Sequence, residues 1–377
     1  MRSPNLLAPA ASLAAALAAA TVMAAVSVCT PAAAQSLAPA QCLADLEDAA
    51  AFLEANDAGA ADALADHGAA IRAAFDKARA ATAAVREEAE CIALLKTYVH
   101  AWRPDHIGVR PVQDVGAAAA KPAAGGADPR APRFEVLGKD TLLLVLPSFN
   151  DTQAAAVRKL VADHRAELVS HRNWVIDVRG NGGGADGTYA PLLGWLLDGD
   201  LRYYRAEFFV TPANIQAQEA VCQGSGDPQA CQRQLAPVIA SMRAAPNGSF
   251  VLPGTERIAT KAIALEPQRP ARVAVLTDGE CGSSCEEFVL QARTGFRVKI
   301  VGRPTAGVLD VANVRRHPLP SGRFLLSYGT SRTTRLPAMR IDGVGIAPDV
   351  LLPAPPDAAA RAAEVTQVQR WLETGRM

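Results

Sequence analysis

Between residues 42 and 101, apolar and small side chains recur at helical spacing among charged ones, with breaks at Asn56-Asp-Ala-Gly59 and Ala80-Ala-Thr82. That period predicts two or three amphipathic helices. A helical region of this size buries its apolar stripe on something larger, so it is expected to be a structural lid or dimerisation element, within an N-terminal region of residues 35–115 that also holds the His106 turn. From Phe134 the pattern changes to short apolar runs separated by helical periods. Strands are expected near 134–137, 141–146, 173–178, 271–277 and 297–301, and helices over 151–168, 185–197 and 284–294. Such alternation argues for an α/β core over 134–355. Residues 211–246 interrupt it with two expected helices, an insertion that either walls a substrate site or is inert decoration. Residues 116–133, rich in Ala, Gly and Pro, predict a flexible linker, and 356–377 a closing helix.

Composition adds a compartment. Met1-Arg2, an Ala/Leu-rich stretch through Val28 and the small-residue site Ala32-Ala33-Ala34 predict a signal peptide over 1–34, cut before Gln35. The mature chain is then periplasmic or secreted. Cys29 raises a lipoprotein alternative, which Val28, a poor residue ahead of a lipidated cysteine, makes the weaker one. No later apolar stretch is long enough to span a bilayer. Acidic and basic residues number 38 each, so no general attraction to nucleic acid or anionic membrane is expected. Cleavage leaves Cys42, Cys91, Cys222, Cys231, Cys281 and Cys285, an even set that in an exported chain suggests disulfides. Sequence-local pairing would join them in that order, two by two, among about fifteen possible connectivities. Two close cysteines without adjacent histidines are a poor zinc site. No metal or cofactor is expected.

Two segments carry candidate chemistry. The apolar run Arg272–Asp278 ends in Cys281-Gly-Ser-Ser-Cys-Glu-Glu-Phe288, where a helix with acidic residues in its first turn begins. Ser283 or Ser284 at that N-terminus would have unpaired amides and the positive end of the helix dipole beside its hydroxyl, as an acyl-transfer nucleophile requires. The plain alternative is an N-cap. Trp174-Val-Ile-Asp-Val-Arg-Gly-Asn-Gly-Gly-Gly184 is a strand running into a glycine turn that could bare backbone amides for an oxyanion. It lacks the spacing of a dinucleotide or P-loop site. Among the histidines, His67, His164 and His171 fall in or beside surface helices. His106 instead sits in the Pro-broken turn Trp102-Arg-Pro-Asp-His-Ile-Gly108, entering a short strand.

Asp177-Val-Arg-Gly-Asn-Gly-Gly-Gly184, Ser283-Ser-Cys-Glu-Glu-Phe288, Gly302-Arg-Pro-Thr-Ala-Gly307 and Gly345-Ile-Ala-Pro-Asp349 together resemble the ordered motif blocks of the C-terminal processing peptidase family. That family includes tail-specific proteases, the tricorn protease core and the repeats of interphotoreceptor retinoid-binding protein. The resemblance covers roughly residues 100–353. It implies a ClpP/crotonase-like α/β core with an N-terminal helical subdomain. It places the nucleophile on Ser283, with Ser284 as fallback, and makes Glu286 the motif glutamate. Oxyanion donors would be Ser284 and either Gly182 or Gly183. The lysine base of one branch is replaced by Val308, and Lys299 lies inside an expected strand. The chain therefore resembles the histidine-dependent branch, with His106 as base and Asp342 in Arg340-Ile-Asp-Gly-Val-Gly345 orienting it. Asp105 stands where the tricorn core has a serine. The family's PDZ module has no room between His106 and Phe134.

The resemblance and the residues together lead to the expectation of an exported serine peptidase that hydrolyses peptide bonds through an acyl-enzyme on Ser283. Its partner would be a peptide or protein substrate, and its oligomeric state is not encoded legibly. The alternatives are a non-catalytic ligand- or peptide-binding protein on the same scaffold, or an esterase.

Overall fold

The structure is a computed structural model that describes residues 36–113, 128–224 and 228–376. The expected signal peptide, Cys29 and most of the expected linker lie outside the described residues. Three helices open the described chain: α1 (Pro39–Asn56), α2 (Ala60–Thr82) and α3 (Glu88–Val99). Strand β1 (Gly108–Pro111) follows, then β2 (Arg133–Val136), β3 (Thr141–Val145), helices α4 (Ala154–Asp163) and α5 (Arg165–Ser170), and β4 (Asn173–Asp177). Next come α6 (Asp186–Leu196), β5 (Leu201–Tyr204), β6 (Ala206–Phe209), α7 (Pro212–Ala220), α8 (Pro228–Ala244), β7 (Phe250–Val251) and β8 (Ile258–Lys261). The chain finishes through β9 (Arg272–Thr277), α9 (Ser284–Ala292), β10 (Val298–Gly302), β11 (Val311–Pro318), β12 (Phe324–Thr333), β13 (Val350–Leu351) and α10 (Ala358–Thr374).

The main sheet has the order β13-β10-β9-β4-β3-β2, parallel throughout except where β2 turns back antiparallel on β3. Its strands alternate between two cores, as a sheet covered on both faces must. Leu142, Leu144, Trp174, Ile176, Val273, Val275 and Ile300 face one core, which α4, α6 and α9 fill with Val157, Tyr189, Leu193, Trp195 and Phe288. Leu143, Val175, Ala274, Leu276 and Val301 face the other, which α10 closes with Val368 and Leu372. A buried ionic cluster pins α10 to the strand ends. Arg179 grips Asp177 with two bonds of 2.8 and 2.6 Å and reaches Glu364 at 2.5 Å. The fold is thus α/β with N-terminal helices.

Sequence periodicity missed the second sheet. β12 is its spine: β11 pairs along one edge, while β1 and β6 share the other. β11 and β12 carry Arg315, Arg316, His317, Ser327 and Ser331 among their apolar residues, which hides the period of two. The expected helix over 151–168 is also split. A 3-10 turn (Asp151–Gln153) precedes α4, and the chain bends at His164, whose ring stacks on Phe134 at 3.8 Å. The end of the expected linker is pinned, since Gln153 donates to Asp128 at 2.8 Å before β2 begins.

The N-terminal helices belong to the same compact unit as the core. Leu46, Leu53, Leu95 and Tyr98 pack on Leu326 and Tyr328 of β12, and a Cys42–Cys91 disulfide ties α1 to α3. The remaining pairs are Cys222–Cys231 and Cys281–Cys285, the sequence-local pattern. Where the helices meet the second sheet, Asp57 is buried against Arg103 in a two-bond pair of 2.6 Å each and also accepts the amides of Gly59 and Gly329. Removing one member of a buried pair leaves the other charge uncompensated. Arg103→Met is therefore expected to lower unfolding free energy by about 3–5 kcal/mol in urea melts. A loss within experimental error would mean the pair does not bind the helices to the sheet.

Candidate active site

Ser283 sits between β9 and α9 with φ 56° and ψ −123°. A non-glycine residue in this region carries roughly 1–3 kcal/mol of strain, which persists only when the surroundings over-determine it. Here they do. Glu286, fully buried, takes the Ser283 amide at 3.2 Å on one carboxylate oxygen, together with the Val308 amide at 2.9 Å. Its other oxygen accepts the Thr305 hydroxyl at 2.6 Å and the Gly307 amide at 2.7 Å. The Thr305 hydroxyl in turn accepts the Ile346 amide at 2.7 Å. The Cys281–Cys285 disulfide brackets the same turn. Val308 packs where a side chain on Gly282 would have to go, at 2.9 Å. Lys299 is exposed on β10. The Ser283 hydroxyl makes no hydrogen bond to any described residue.

The glycine turn lies against this serine. A side chain on Gly183 would meet the Gly282 carbonyl at 2.6 Å and the Ser283 β-carbon at 2.8 Å, and its φ of +95° independently favours glycine. The Gly183 amide is committed, because it donates to the Asn181 side-chain oxygen at 2.9 Å. Asn181, buried, also donates to Leu146 and accepts the Gly282 amide through its carbonyl. Gly182 is exposed and does not line the cleft. Of the two glycines singled out by sequence, Gly183 thus has its amide bonded and Gly182 stands off the cleft, whereas Gly184 lines it. A bridge joins Gly184 to Phe149 through the carbonyl of Gly183 and the amide of Ala185. The Gly184 carbonyl accepts the Ser284 hydroxyl at 3.0 Å, and its φ of +145° favours glycine. The Ser284 hydroxyl is thereby occupied, whereas its amide, first of α9, has no acceptor among the described residues.

His106 also adopts positive φ, 56°. Arg103 fixes its turn from behind, donating to the Asp105 carbonyl at 3.1 Å and the His106 carbonyl at 3.4 Å while held by Asp57. The ring nitrogen Nδ1 meets the Val311 carbonyl at 2.6 Å. A carbonyl only accepts, so Nδ1 carries the proton and Nε2 keeps its lone pair. This corrects the expected role of Asp342. Its carboxylate turns instead to the amides of Leu309 and Asp310, both at 2.6 Å. Burial, reinforced by the Asp310 charge, pushes the Asp342 carboxyl up against the pull of those donors. The physical reason is placement: the backbone of β11, rather than the 340–345 loop, runs alongside the ring. Asp105 is exposed, and only its carbonyl is engaged.

Ser283, Ser284, Gly184 and His106 line one cleft of about 770 Å³ between the main sheet's helices and the second sheet. Three non-glycine residues among those described have positive φ, namely His106, Ser283 and Asn313. All three line this cleft. Strained backbone gathered at one concavity is the arrangement expected of a functional site. Of the residues singled out by sequence, Ser283, Ser284 and His106 meet here. Asn181 was missed, although it lies in the quoted glycine block, and so was the Asp57–Arg103 brace, whose only signal was a polar break between helices.

The model of peptidase family S41 matches residues 140–352, more than half of the chain. The chain belongs to this family. The resemblance drawn from the four motif blocks therefore holds at family level. Mature CPAF superposes with a TM-score of 0.60 at 13% identity, covering 89% of this chain and 96% of that one. A lipoprotein from Streptococcus agalactiae superposes at 0.53 and 15%, covering 90% and 98%. At such identities these likenesses speak for the fold. No curated protein matches the chain.

The Glu286 clamp makes a direct prediction. Glu286→Gln turns an amide donor toward donors and removes the charge, so stability should fall by about 3 kcal/mol. Hydrolysis should fall further than the folded fraction does. Equal activity per folded molecule would show that the clamp does not set the serine's geometry.

Proposed function

We propose that this S41 member is an exported serine peptidase in which Ser283 is the nucleophile and His106 the general base. The observation that carries the proposal is the shared cleft in which a strained serine with an unbonded hydroxyl and a tautomer-fixed histidine both stand. Ser283 Oγ attacks the scissile carbonyl carbon while Nε2 of His106 takes its proton. Negative charge gathers on the carbonyl oxygen. The amides of Ser284 and Gly184, neither bonded to a described residue, are the donors proposed to meet it, and one such donor lowers a barrier by about 3–4 kcal/mol. His106 then returns the proton to the departing amine, and water, activated by the same nitrogen, releases the acyl group. The Val311 carbonyl holds the ring throughout, a part that carboxylates fill in other triads. Three disulfides among the described residues and the basic–apolar–small pattern of residues 1–34 support export.

Ser283→Ala is expected to abolish peptide hydrolysis with an unchanged melting temperature. His106→Gln should cost about a hundred- to ten-thousandfold in kcat. Asp342→Asn should cost far less, because the ring does not depend on that carboxylate. Comparable losses for the His106 and Asp342 variants would return Asp342 to the relay, and undiminished turnover by Ser283→Ala would dismiss the mechanism.

A further inference from the structure

One wall of the cleft holds charge that the hydrolytic chemistry does not use. Asp186 opens α6, and Glu287 follows the nucleophile by four positions on α9; both line the cleft beside Ser283 and Ser284. Between them lies Tyr189, only 1% exposed, whose hydroxyl has no hydrogen-bond partner. Asp186 and Gln291 are near enough to influence that phenol, which burial above all pushes up, yet neither meets it in bonding geometry. An unpaired buried hydroxyl is destabilising and is relieved when a ligand supplies the missing group. Glu287 accepts one bond, from Gln291 at 2.9 Å.

One neighbouring cation is shared between this wall and Asp310. Arg335 approaches Glu287 only to 3.9 Å and is engaged with buried Asp310 at 3.2 Å. Lys261 is an exposed residue on β8 whose charge lowers the Asp186 carboxyl less than the neighbouring Ser284 and Tyr189 hydroxyls do. Burial raises both Asp186 and Glu287, and the Asp186 charge raises Glu287 further. Arg205 and Arg315 lie on other elements of the cleft, Arg315 on the second sheet and bonded there to Gln218 at 2.6 Å. No group of three or more His, Cys, Asp or Glu side chains among the described residues is arranged for a metal ion. An acidic wall, open to solvent at Asp186 and half-buried at Glu287, with its own acceptor and donor groups suits an organic cation on a flexible stem.

We propose that Asp186, Glu287, Tyr189 and Gln291 form a specificity subsite that takes the lysine or arginine side chain of a peptide substrate next to the bond cut at Ser283. This rests on the peptidase reading of the same cleft. The cation would lie between the two carboxylates, with the phenol oxygen and the Gln291 amide oxygen as further acceptors, while Leu193 and Leu201 pack its aliphatic stem.

The test uses quenched peptides identical except for Arg, Lys, Leu or Glu before the scissile bond, and the full chain. Arg and Lys peptides should exceed the Leu peptide in kcat/KM by about thirtyfold or more, the lower end for a buried charge pair. Glu287→Gln and Asp186→Asn should each collapse that ratio. Glu287→Lys should turn the preference toward the Glu peptide, a gain that misfolding cannot imitate. A second readout avoids turnover. Calorimetry on Ser283→Ala should show benzamidine binding and benzamide, its neutral isostere, failing to bind, with benzamidine lost on adding Glu287→Gln. Cleavage with equal Arg and Leu rates would overturn the subsite and leave the peptidase reading standing. If no peptide is cut, the peptidase reading is what fails, and absence of benzamidine binding then overturns the subsite as well.

Discussion

The buried carboxylate of Glu286 is the constraint on which this molecule's site depends. Four donors converge on it from the Ser283 turn and the 305–308 loop, and the Thr305 hydroxyl extends the link to Ile346. A charge in the protein interior is tolerable only when hydrogen bonds replace its lost hydration. The carboxylate therefore demands that these segments stay where they are, and their staying holds Ser283 at a backbone angle it would otherwise leave. Strain at the serine and satisfaction of the glutamate are two sides of one arrangement.

A second brace reaches His106 from the opposite direction. Asp57, at the end of α1, holds Arg103, and Arg103 holds the carbonyls of the His106 turn. The N-terminal helices thus contribute more than cover: their anchorage on the second sheet fixes where the imidazole stands. The cleft lies between the parallel sheet with its helices on one side and the β11–β12 ribbon on the other.

How much of the molecule was legible in the sequence depends on the physics of each part. Parallel strands buried on both faces read as continuous apolar runs, so β3, β4, β9 and β10 stood out. β11 and β12 did not, because charged and hydroxyl residues interrupt their alternation while partner strands cover them in the folded state. The glycine and serine blocks were visible because backbone geometry requires particular residues there; Gly183 cannot carry a side chain. Which amides would be free was not visible, since it depends on a bridge from Phe149 and on the Asn181 side chain. The partner of His106 was illegible for a deeper reason. A carbonyl belongs to every residue, so nothing in the identity of Val311 signals that its oxygen meets the ring.

The central claim is that the fold activates one particular hydroxyl. Treating the native protein with a fluorophosphonate and mapping the modified residue by mass spectrometry tests this most directly. The expected result is a single stoichiometric adduct on Ser283, lost when the protein is unfolded before treatment. An adduct on Ser284, or no serine adduct in well-folded protein, would contradict it.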